Sequence, residues 1–240
     1  MFRGLASSQA GLSRAGFKER KNMRFISMLV VCLAIAAVPS AMGQSWEVGG
    51  GVGGGFYTSQ DVSGAYGSAA AKLGMGVSGS AWLDNNGRGH WGGELRYDYQ
   101  MGALQLNSGS QSASFGAYTQ AAHYDVLWYP TPNGSRIRPF VAVGAGIKVF
   151  EGNGTQVAYQ PLNNVALLTK AQDLTPLASV GAGVKVQIAS RLQLRLELHD
   201  YLTPFPKQVI MPNVGEKVSG WGWLQDFVPT VGISYTSEGR

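Results

Sequence analysis

Gly49-x-Gly51-x-x-Gly54 has the spacing with which a glycine loop lets a dinucleotide pyrophosphate approach the backbone. His199-Asp200-Tyr201 offers a base beside an acid, and a loop serine such as Ser219 would add the nucleophile of a hydrolytic site. His90 and His123 are the other imidazoles, and their spacing matches no metal-ligand motif. Cys32 is the only thiol. Whether any of these does chemistry depends on the elements that carry it.

The first element is a leader. Phe25 to Val38 is one apolar run preceded by Lys18, Arg20, Lys21 and Arg24 and followed by Ala41-Met42-Gly43. The run is too short to span a bilayer, and its flanks are those of a secretory signal peptide with cleavage expected before Gln44. The expected organisation is therefore a leader over 1–43, with an extended basic n-region or a true start at Met23, and one domain over 44–240. Cys32 leaves with the leader, so no disulfide or thiolate site is expected. Of the 19 Lys+Arg and 14 Asp+Glu, six basic residues and one acidic residue lie in 1–24, and the remainder balances. A nucleic-acid partner, which needs a basic face, is excluded.

In the expected domain apolar residues recur with period two. In "LQLRLELH", Leu192, Leu194, Leu196 and Leu198 share one face; Gln193, Arg195, Glu197 and His199 share the other. In "GELRYDYQM", Leu95, Tyr97, Tyr99 and Met101 oppose Glu94, Arg96, Asp98 and Gln100. Leucine and glutamate favour helices, so the alternation overrides propensity. The glycine stretch obeys the same rule: Trp46, Val48, Val52 and Phe56 fall on one face, Glu47, Gly49, Gly51, Gly53 and Gly55 on the other. "VGAGIKV" (143–149) and "VGAGVKV" (180–186) repeat the glycine face. A strand with a glycine face marks crowding, and without a following helix the phosphate reading falls.

Eight strands are expected, over 46–57, 69–83, 91–106, 113–129, 136–150, 177–188, 192–201 and 227–235. The second, fourth and sixth connections, "DNNGRGH", "PTPNGS" and "ASR", are short. The others, "TSQDVSGAYGS", "NSGSQS", 151–176 and 203–226, are mostly longer. Such alternation suits an up-and-down meander whose ends face different compartments.

Alternation permits a barrel in water or a barrel in a membrane. Three features favour the membrane. The polar face is rich in small residues, including Gly74, Gly76, Ser78, Gly144 and Gly181, as a cramped eight-stranded interior requires. Charges on that face balance: Glu47, Glu94, Asp98, Asp125 and Glu197 against Lys72, Arg96, Arg138, Lys148, Lys185 and Arg195, with His199 beside them. Aromatics gather at strand ends: Trp46, Trp91, Trp128, Tyr129, Phe140 and Tyr235 near the short turns, and Phe56, Phe150, Tyr201, Trp221, Trp223 and Phe227 near the long loops. The expected fold is an all-β, eight-stranded antiparallel transmembrane barrel.

"WEVGGGVGGGFY", "RPFVAVGAGIKVF", "LQLRLELHDYLTPF" and "DFVPTVGISY" resemble the eight-stranded outer membrane β-barrel family that includes the transmembrane domain of outer membrane protein A. The resemblance spans Ser45 to Tyr235. It implies a Gram-negative-type outer membrane and insertion by the barrel assembly machinery, which would read Val231, Ile233 and Tyr235 on the final strand. The family usually ends on an aromatic residue, whereas Thr236 to Arg240 follow here. No peptidoglycan-binding domain is expected.

The leading expectation for function is a non-catalytic barrel with a salt-bridged plug. Its partners would be membrane lipid and surface molecules met by loops 151–176 and 203–226, whose apolar content includes Val165, Leu167, Leu168, Ile210, Trp221 and Trp223. A small pore for ions is the alternative, and a lipid-modifying site around His199 and Asp200 a third. No cofactor and no metal is expected.

Overall fold

The structure, a computed structural model, describes residues 45–65, 67–86, 89–132, 134–155, 159–218 and 222–237. The expected leader lies outside the described residues, as do Ser219 and Trp221. The described chain forms β1 (Ser45–Tyr57), β2 (Gln60–Gly64), β3 (Gly67–Leu73), β4 (Gly76–Asn86), β5 (Trp91–Ser108), β6 (Gln111–Trp128), β7 (Ile137–Gly152), β8 (Ala166–Leu168), β9 (Gln172–Gln187), β10 (Leu192–Pro204), β11 (Ile210–Pro212), β12 (Lys217–Val218) and β13 (Trp223–Thr236).

Eight of these close a ring in the order β1-β4-β5-β6-β7-β9-β10-β13, every neighbouring pair antiparallel, with β13 returning to β1. Closure leaves no unpaired edge in the wall, which a lipid-exposed sheet requires. Cross-strand partners can be followed once around the wall: Glu47, Asp84, Glu94, Asp125, Gly144, Ser179, Tyr201, Asp226, then Tyr57. The path rejoins β1 ten residues beyond its start. That stagger tilts the strands and makes a narrow barrel that side chains can fill.

The expected second strand is divided. Leu73 faces Leu104 and Val77 faces Met101, so three residues, Gly74 to Gly76, oppose two on β5. This is a β-bulge, and it reverses which side chains point inward. Below it Ser78, Ser80, Trp82 and Asp84 point in; above it Ala69, Ala71 and Leu73 do. Gly76 is forced by contact, since a Cβ there would meet the Met101 carbonyl oxygen.

Polarity inverts along the strands at the long-loop end. On β5 the inward residues run Glu94, Arg96, Asp98, Gln100, then Leu104 and Leu106. On β6 Phe115 and Ala117 succeed Thr119 and His123 in the same way. Above the polar section lies an apolar cluster of Val62, Leu73, Leu104, Leu106, Phe115, Phe150, Leu162, Val165, Leu168, Phe205, Val209, Ile210 and Leu224. The loops carrying β8 and β11 pair with each other over it, and the Gln160 side chain bonds both backbone groups of Leu168. The third connection, expected to be long, is a tight turn at Gly109 (φ 56°), because β5 and β6 run on past the membrane band as one hairpin.

If this cluster holds the cap, Leu104→Ala should cost about 2–5 kcal/mol of cap stability. Limited proteolysis should then cut 153–171 or 205–218 while the barrel keeps its heat-modifiable gel mobility. Loops that stay uncut would show that the cap rests on other contacts.

Candidate functional site

Inside the ring the charges lie in rows. Glu47, Asp84, Glu94 and Asp125 are successive cross-strand partners on β1, β4, β5 and β6. Arg138, Lys185 and Arg195 are successive partners on β7, β9 and β10. Like charges side by side on one face repel. The rows are tolerated because the closed wall sets them facing each other.

The contacts across the lumen are dense. Lys185 Nζ lies 2.9 Å from Glu47 Oε2 and 2.5 Å from Asp84 Oδ2. Arg195 reaches Asp84 Oδ2 at 3.1 Å, Glu197 Oε2 at 2.6 Å, and Glu94. Arg96 answers from the opposite wall to Glu197 and Glu94, with its Nε 3.1 Å from both oxygens of Asp98. Above them His123 Nδ1 lies 2.9 Å from Asp125, and Tyr201 donates to Asp98 at 2.7 Å. Higher still Lys148 Nζ meets Asp226 at 2.5 Å, and Gln100 donates to the same oxygen at 2.8 Å. All these groups are buried.

Trp82 explains the glycine face. Its ring lies along the inner wall over β1 and β13, and its Nε1 donates to Ser234 Oγ at 3.0 Å. A Cβ on Gly49 would come within 2.4 Å of Nε1, and one on Gly232 within 2.4 Å of the ring. The other side carries the guanidiniums of Arg96 and Arg195, 5.4 and 4.7 Å from the ring centroid. The glycines make room for an indole under two cations; the fingerprint spacing is incidental.

Of the residues expected in the lumen, Glu47, Glu94, Arg96, Asp98, Asp125, Arg138, Lys148, Lys185, Arg195, Glu197 and His199 are brought together there. Lys72 is not: the bulge turns it to the outer face, opposite Ala71 and Leu73. Trp91, Trp128, Tyr235 and Phe227 face outward and exposed, Trp46 half so. Tyr129 does not, because it alternates with Trp128; it is buried, bonds Asn86 at 3.0 Å and carries the Arg138 guanidinium 3.5 Å above its ring. Phe140, Phe150 and Tyr201 are interior too. Val231, Ile233 and Tyr235 share the outward face of β13.

Sequence reasoning missed Asp84 and Asp226. Asp84 was legible as the next inward step after Ser78, Ser80 and Trp82. Asp226 falls in the expected loop 203–226, whereas β13 begins at Trp223.

Among the described residues the hydrolytic arrangement is not assembled. His199 points into the lumen and Asp200 outward, as strand neighbours must. His199 Nδ1 lies 3.3 Å from Ser179 Oγ and 3.7 Å from Asp125, a trio buried within the plug. Glu94, Asp125 and His199 present ligand atoms within 4.8 Å of one another. Both oxygens of Glu94 already pair with arginines, Oε1 with Arg96 and Oε2 with Arg195.

The family model described as "Outer membrane protein beta-barrel domain" matches residues 28–205. Among solved structures, the chain is similar to the outer membrane protein OprG from Pseudomonas aeruginosa. The identity is 11%, covering 81% of this chain and 96% of that one, with a TM-score of 0.51. Neisserial surface protein A matches at 11% identity over 80% and 98%, with a TM-score of 0.47. The search of curated proteins found no match. The chain belongs to the outer membrane protein β-barrel domain family and resides in the outer membrane.

Cutting one node of the lattice tests its weight. Arg195→Met should destabilise the folded barrel by about 3–5 kcal/mol, because Asp84, Glu94 and Glu197 would lose a shared buried cation. A denaturant midpoint in lipid vesicles measures it; an unchanged midpoint would mean that water already reaches these carboxylates.

Proposed function

We propose that this outer membrane barrel is a non-conducting, non-catalytic envelope protein that acts through its two rims. The observation that carries the reading is double occlusion. The middle of the lumen is filled by Trp82 and the arginine–carboxylate lattice, and the long-loop end by the apolar cap. An ion would have to part several buried pairs and then cross an apolar layer. Catalysis finds no support in the split of His199 from Asp200.

The apolar residues of the two loops divide between cap and surface, with Leu167 and Trp223 exposed. Val165, Leu168 and Ile210 are buried in the cap. Among the described residues the exposed groups at that end include Tyr159, Leu167, Met211, Val214 and Trp223, with Lys170, Lys207 and Lys217 among them. Val231, Ile233 and Tyr235 suit the role of insertion signal for the assembly machinery, being outward on the strand that closes the ring.

Planar-bilayer recording of residues 44–240, folded by the heat-modifiable gel criterion, is expected to be silent. Discrete channels whose conductance changes in Arg195→Ala would replace this reading with the small pore.

A further inference from the structure

We propose that one sector of the short-turn rim, from β7 to β13, is a binding site for anionic phospholipid headgroups. Arg136 and Arg191 are both exposed there. Backbone bonds fix them in one patch: Gln187 N–H donates to the Arg136 carbonyl at 2.8 Å, Ile188 N–H to that of Leu192 at 3.0 Å, and Thr236 N–H to that of Arg191 at 2.9 Å. The Arg191 guanidinium also donates to the Tyr235 hydroxyl at 3.0 Å.

Around the two arginines Ile137, Ile188, Leu192 and Tyr235 stand exposed. Alkyl side chains flanked by guanidiniums match the boundary between acyl chains and phosphates. Among the described residues of this rim no carboxylate is exposed. Glu47 and Asp84 are buried and bonded to Lys185 inside the lumen. Among the described residues the two exposed cations therefore have no exposed acidic neighbour at this rim. The opposite sector differs: Trp46, Trp91 and Trp128 mark it, without an exposed Lys or Arg among the described residues. Net positive charge with an apolar wedge selects an anionic lipid over a zwitterionic one.

Native mass spectrometry of the folded protein, released from detergent with equimolar phosphatidylglycerol and phosphatidylcholine of the same acyl chains, tests this. Phosphatidylglycerol adducts should dominate. Arg136→Gln/Arg191→Gln should lower the ratio of the two adducts about tenfold, each single variant carrying part of the loss should the double one not fold. Arg136→Lys/Arg191→Lys should keep the preference. Equal adducts on the unaltered protein, or an unchanged ratio in the glutamine variants, would overturn the proposal. Loss of the preference in the lysine variant would overturn its charge argument.

Discussion

The structure depends on two rows of like charge that can coexist only across a closed wall. Glu47, Asp84, Glu94 and Asp125 repel along one half of the sheet; Arg138, Lys185 and Arg195 repel along the other. An open sheet with these rows would be strained throughout. Closing β13 onto β1 brings Lys185 to Glu47 and Asp84, and Arg195 to Asp84 and Glu94. Electrostatics thus favours the closure that backbone hydrogen bonding in lipid also demands. It also favours the observed stagger, since sliding one strand by two residues would move each cation off its row of acids.

The same closure explains the distribution of small side chains. A ring of this size has little interior, and two arginines with an indole between them and the wall use most of it. Gly49, Gly51 and Gly232 lie where the wall must be thin. Beyond the membrane the constraint reverses. Water surrounds the strands there, so β5 and β6 change to apolar-in, polar-out, and the loops supply the rest of an ordinary core.

Much of this was legible where the period of two runs unbroken. Leu192 to His199 and Glu94 to Met101 show both faces directly, and the fold class follows from such segments. The failures came from features that leave the period intact to the eye. The bulge at Gly74–Gly76 shifts the phase by one, so Lys72 reads as lumen and lies outside. Tyr129 and Trp128 are both aromatic at a strand end, yet neighbours cannot share a face. Val165, Leu168 and Ile210 read as surface residues because the cap is a contact between distant segments, Leu104 with the β8 and β11 loops, which no local pattern records. The pairing of particular charges was hidden for the same reason: Arg96 and Glu197 lie on opposite walls.

A barrel filled in this way narrows where function can reside. The buried imidazoles of His123 and His199 are surrounded by carboxylates, a tyrosine and a serine, a set of groups that elsewhere would suggest chemistry. Here substrate would have to displace Trp82 and the guanidinium pair, or the whole apolar cap, before touching them. Breaking one buried pair without replacing it costs several kcal/mol, and reaching His199 means breaking more than one. Polar side chains whose arrangement is needed to close the wall are not free to rearrange for a ligand. What remains adaptable is the part of the surface that closure does not use: the cap's outer loops and the arginine-bearing turns.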